Sequence, residues 1–200
     1  MSGAFPTSPK FRTLNFKNVR PALMNHSLSG KRVVRQIGSQ YFIFTVQMPN
    51  LSNDDAMDIF AFLQKQKGSF ETFTIQHPLD NRGAGKAETD ILVNGVHAVS
   101  DSTIALDGFA ASTTAVLKAG DLIKFNHSKV YMVQSDVNSN SSGEVTVSIE
   151  PSIVAALADN EAVTVNKPSF TVYLTSEEIM YTTDVSGLFS IEFEVREVIT

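Results

Sequence analysis

Residues 189 to 198 run Phe-Ser-Ile-Glu-Phe-Glu-Val-Arg-Glu-Val, with Phe189, Ile191, Phe193 and Val195 on one parity and Ser190, Glu192, Glu194 and Arg196 on the other. Successive side chains of a strand point to opposite faces, so strict alternation marks an extended segment with one buried face. A helix would spread the same residues around its axis. Residues 41 to 48 repeat the device, with Phe42, Phe44, Val46 and Met48 set against Tyr41, Ile43, Thr45 and Gln47. Two such strands set the class as mainly β, with a core built by sheets.

Between them one segment changes period. Ser52-Asn53-Asp54-Asp55 supplies an N-cap with acids in the first turn, and Ala56, Ile59, Phe60 and Leu63 recur at helical spacing. The cap, the stripe, Lys65 and Lys67 at the far end, and Gly68 as a left-handed stop all agree on a helix over 52–67. Further strands are expected over 10–20, 28–37, 69–76, 170–174 and 179–182. From Gly83 onward the texture becomes short apolar runs separated by turns at intervals of roughly ten residues, as a small antiparallel barrel requires. The runs lie at 90–98, 102–106, 121–126, 129–134, 143–149 and 162–165. The last strand has no place among them, so it belongs with the first sheet. The expected organisation is a tail-tube-like β-sandwich or barrel of residues 1–82 and 167–200 with one helix, interrupted by a small inserted β-barrel of residues 83–166. The Pro, Asn and Gly residues of 77–85 read as a loop, and Gly83-Ala84-Gly85 as a flexible hinge.

Composition removes several chemistries. The 200 residues contain no cysteine, which excludes disulfides, thiolate metal sites and cysteine nucleophiles. No apolar run approaches the ~20 residues that span a bilayer, so membrane insertion is not expected. The first residues lack the basic and apolar regions of a secretory signal, so synthesis in a cytosol is expected. His26, His77, His97 and His127 fall in no metal-ligand spacing. Asp136-Val-Asn138-Ser-Asn140 begins like a calcium loop, but Ser141 and Val147 stand where Gly and the bidentate Glu are needed. Gly83-Ala-Gly85-Lys86 lacks phosphate-loop spacing, and no Gly-x-Ser-x-Gly elbow occurs. Glu192 and Glu194 sit on the polar face of a strand rather than across a cleft, which argues against a glycosidase pair. No catalytic residue, cofactor or metal site is expected, and the chain is not expected to be an enzyme.

Charge is distributed unevenly around a net of −5. Up to Asp54 the chain carries Lys10, Arg12, Lys17, Arg20, Lys31, Arg32 and Arg35 and no acid, whereas 83–166 holds ten acids against four lysines. The bases lie on strand-like segments without interleaved aromatics or a nucleic-acid motif, so specific nucleic-acid binding is not expected. Such a distribution reads either as two solvated faces of opposite sign or as a basic face that meets an acidic face on a neighbouring subunit.

Two stretches carry a resemblance. "AMDIFAFLQKQKGSFETFTIQHPLDNRG" is similar to the helix, aromatic strand and loop of phage tail-tip subunits. "LKAGDLIKFNHSKVYMVQSDVNSNSSGEVTVSIEPSI" is similar to the small β-domain of phage distal and minor tail proteins, with Ala119-Gly120-Asp121, Val130-Tyr131-Met132-Val133 and Gly143 to Pro151 matching its pattern. Together they cover about a third of the chain. The resemblance implies a virion structural subunit, assembled in the host cytoplasm. It would form a homo-oligomeric ring, commonly hexameric, that joins the tail tube to tip or baseplate proteins. Ring-forming sheets must cover or charge their edges. Lys31, Arg32 and Arg35 on one strand and Glu192, Glu194 and Glu197 on another are therefore the expected interface residues. The alternative is a module that binds host-surface glycan through an aromatic platform including Tyr131 and Phe109.

Overall fold

The computed structural model describes residues 2–199. Its chain divides into two compact units, residues 2–73 with 172–198 and residues 74–171 with Ile199, so the second unit interrupts the first. Secondary structure is mainly β with one α-helix among the described residues.

The first unit is organised by the two alternating strands, β4 (Tyr41–Gln47) and β13 (Phe189–Glu197), which pair antiparallel with Phe193 opposite Val46 and Val195 opposite Phe44. β1 (Thr13–Val19) lies on the other side of β4. β11 (Ser169–Leu174) and β5 (Phe73–Gln76) continue the sheet beyond β13, in the order β1-β4-β13-β11-β5. Among the described residues β12 (Tyr181–Thr183) pairs only with the start of β13. Phe42, Phe44, Val46, Met48, Ile191 and Val195 are fully buried, which is the face the alternation assigned to the core.

Helix α1 (Asn53–Lys65) buries Ala56, Ile59 and Leu63, while Phe60 is half-buried and meets Tyr181 edge-on at 5.1 Å. Ser52 Oγ accepts from the Asp55 amide at 3.3 Å and satisfies one of the donors a helix start leaves unpaired, a cap worth about 1 kcal/mol. Phe5 closes the core from the N-terminal segment. Its ring lies 5.3 to 6.4 Å from those of Phe11, Phe62, Phe73 and Phe193.

Residues 28–37, expected as one strand, are not one. β2 (Ala22–His26) and β3 (Arg32–Gln36) form a two-stranded hairpin around a turn at 27–31. The turn is fixed by Ser27 Oγ, which accepts from the Lys31 amide, and by Gly30 at φ 77°.

The second unit holds β6 (Leu92–Val93), β7 (Thr103–Asp107), β8 (Leu122–Lys124), β9 (Val130–Val133) and β10 (Val145–Glu150), in the order β6-β7-β10-β9-β8. The segment 161–165 joins its two edges. Val163 N donates to Ile91 O on the β6 side, and Thr164 exchanges both backbone hydrogen bonds with Lys124 on β8. A sheet joined at both edges closes on itself and leaves no long open edge, which is the small antiparallel barrel expected here. Its interior packs Val93, Ile104, Leu106, Tyr131, Val147 and Val163 among others.

The division between the units falls inside β5 and β11 rather than at Gly83 and Lys167. Residues 81–83 are already built into the barrel. Asp121, itself buried, accepts from the amides of Arg82, Gly83 and Lys118 at 2.7 to 2.9 Å. Asn81 donates to Leu122 O and Val165 O and receives the Leu122 amide. Asn166 Oδ1 takes the Asn81 amide, and Lys167 meets Asp80 at 2.8 Å, holding that carboxyl below its ordinary range by hydrogen bonding and charge. The flexible hinge expected at Gly83-Ala84-Gly85 is therefore absent. Residues 84–87 form a 3-10 turn, Gly85 N donates to Val116 O, and a Cβ on Gly83 would stand 2.2 Å from Val116 O. These glycines permit close backbone approach, not freedom.

Candidate assembly surface

The β2–β3 hairpin carries apolar side chains and buries none of them. Every residue of both strands is exposed, and Leu23, Met24, Val33, Val34 and Ile37 leave between 46% and 63% of their surface in solvent. Residues directly opposite across a ladder share a face. The register pairs Met24 with Val34 and His26 with Arg32 on one face, and Leu23 with Arg35 and Asn25 with Val33 on the other. Both faces thus combine exposed aliphatic groups with one arginine, and Leu28 and Lys31 stand exposed in the turn. A lone two-stranded ribbon is marginal in water, and isolated apolar residues are ordinary on a surface. An arm whose two faces are both apolar and basic is not ordinary. It is an exposed surface that mixes aliphatic and basic side chains on two sides.

The expected basic half of the interface, Lys31, Arg32 and Arg35, is entirely on this arm. The expected acidic half is not assembled as proposed from the sequence. Glu192 is exposed on β13. Glu194 is engaged within the chain, meeting Lys17 Nζ and Thr45 Oγ1 at 3.3 Å and Thr175 Oγ1 at 3.2 Å. Glu197 is buried, and its Oε2 accepts from the Phe42 amide at 3.1 Å. It shares the parity of Phe193 and Val195, so the strand turns it inward and no neighbour can reach it.

A second exposed apolar region went unnoticed in the sequence. β12 and the start of β13 form a short hairpin whose turn is held by Asp184 Oδ1, which accepts from the amides of Ser186 and Leu188. Met180, Tyr181, Val185 and Leu188 are exposed on this lobe, and Glu177, Glu178 and Asp184 are its charged residues. Phe70, also exposed, lines an open groove with Lys67 and Glu177 beside it. The signal available beforehand was modest: a run of acids and aliphatics without the alternation that marks a buried face.

The aromatic platform expected for glycan binding is not on the surface. Tyr131 is fully buried, with its hydroxyl receiving the Val154 amide and 3.2 Å from His127 Nε2, and Phe109 is a core residue. Burial pushes the imidazoles of His77 and His127 below the ordinary 6.5, and at His127 the Glu161 carboxylate offsets only part of this. Among the described residues no cluster of three or more His, Asp or Glu is placed to hold a metal, and no helix is long and apolar enough to cross a membrane. The sequence matches no family model and no curated protein.

Proposed function

We propose that this chain is a structural subunit that assembles with copies of itself, as a ring at the distal end of a phage tail tube. The observation that carries the reading is the β2–β3 arm, which exposes aliphatic side chains and arginines on both faces. Burial of apolar area contributes about 25 cal/mol per Å², so an arm left in water forgoes stabilisation that a partner would supply. The arm and the 175–189 lobe are different surfaces of the same unit, so contacts between them are head-to-tail. Head-to-tail contacts close into rings or run on as filaments, whereas self-complementary patches stop at dimers. The sheet architecture and the resemblance to distal tail proteins favour the ring, with tube, tip or baseplate proteins as its neighbours in a virion.

Light scattering on the intact chain, followed by negative-stain images, tests the reading. Rings with a central opening are the expected result. A chain that stays monomeric at the highest attainable concentration contradicts it.

A further inference from the structure

We infer that the arm of one subunit docks on the acidic lobe of residues 175–189 in a second copy, an inference that rests on the self-assembly proposed above. The arm region 20–37 holds Arg20, Lys31, Arg32 and Arg35 and no acid, while 175–189 holds Glu177, Glu178 and Asp184 and no base. Opposed patches of this kind steer encounter and fix register, and like charges in the same places would oppose it.

The two surfaces also match in their apolar content. The arm offers Leu23, Met24, Val33 and Val34, and the lobe offers Met180, Tyr181, Val185 and Leu188, all in solvent in the isolated chain. Charge alone would give a weak, salt-screened contact. Aliphatic groups between the charges supply the area an interface core requires. The backbone adds a third match. β12 pairs with β13 on one side, and no other strand pairs with it among the described residues. Among the described residues β2 and β3 pair only with each other, so each has an outer edge as well. Open edges of short strands accept another strand readily. Lys67 lines the groove beside Glu177, which leaves Glu178 and Asp184 as the cleaner attractors for Arg32 and Arg35.

Charge reversal and its rescue test the pairing on the full chain. Arg32, Arg35, Glu177 and Glu178 are all exposed, so exchanging them leaves the fold intact, checked by circular dichroism and an unchanged unfolding midpoint. Asp184 is left alone because its carboxylate holds the turn. Arg32→Glu with Arg35→Glu should weaken self-association by about 100-fold or more, and Glu177→Lys with Glu178→Lys should do the same. The chain with all four changes should recover assembly toward that of the parent. If the parent assembles and the lobe variant assembles equally well, or the fourfold variant stays dissociated, the docking is wrong while self-assembly stands. If the parent itself never assembles, both fall together.

Discussion

Two stretches leave the first unit between strands of its sheet, and they treat apolar surface in opposite ways. Residues 77–168, between β5 and β11, close a barrel over their own core and tie their entry at residues 82–83 to the buried Asp121. Residues 20–38, between β1 and β4, form an arm that encloses nothing. Both are rich in the β-branched and aliphatic residues that favour strands. Strand-forming chemistry is therefore common to the two, and what differs is the presence of a second layer to bury against. The barrel finds that layer in itself. The arm leaves its side chains in solvent.

Truncations should break the symmetry between the two regions most sharply in the barrel. Tyr131→Ala removes a fully buried ring and the acceptor for the Val154 amide, and should cost about 3–5 kcal/mol in chemical denaturation. A loss under about 1 kcal/mol would show that the barrel is no better packed than the arm. Asp121→Ala leaves three amides without their acceptor and should cost about 2–4 kcal/mol, with faster hydrogen exchange at Arg82, Gly83 and Lys118. Asp121→Asn, which keeps one acceptor oxygen, should lose less.

Gly83→Ala sharpens the point at the barrel entry. Its φ of −64° suits any residue, so the cost is steric and comes from the 2.2 Å approach to Val116 O, about 1–3 kcal/mol. A neutral result would restore the flexible hinge that the glycine spacing alone implies.

Acid should act on the same unit. His77 and His127 both titrate below their ordinary 6.5 in the folded chain because burial disfavours the imidazolium. The unfolded chain therefore binds more protons between the folded and ordinary values. The stability these two histidines contribute is present above about pH 6.5 and is lost as pH falls through the folded values. Unfolding midpoints measured against pH should show this decline, and His77→Asn with His127→Asn should flatten it. The smallest effect belongs to the arm. Val34→Ala should shift the stability of the chain by no more than about 0.5 kcal/mol while weakening self-association, because the side chain is exposed and faces only its cross-strand neighbour Met24.

Alternation and capping made the first unit legible in the sequence. Every local preference over 52–65 pointed to a helix, and the Phe189 and Phe42 series named the buried faces that the sheet uses. The arm was legible as β but not as a hairpin, because its turn at 27–31 lies within a run whose Val33, Val34 and Ile37 read as one continuous strand. Glu197 was misassigned by its charge although its parity with Val195 placed it inward, a case where position in the pleat outweighs residue type. Gly83 and Gly85 could not be told from hinge residues, since the backbone they let approach, at Val116, lies thirty-odd residues away in sequence and next to them in space. Tyr131 was offered as a surface platform for the same reason. Whether an aromatic on a strand faces a second layer is settled by the closure of the barrel, which no local pattern records.

Sedimentation velocity on the intact chain and on a chain with residues 22–36 replaced by a short Gly-Ser turn tests the central claim most directly. The account predicts a multi-subunit species for the intact chain and a monomer for the armless one, with the same unfolding midpoint at low protein concentration. An armless chain that sediments as the same assembly as the intact one would contradict it.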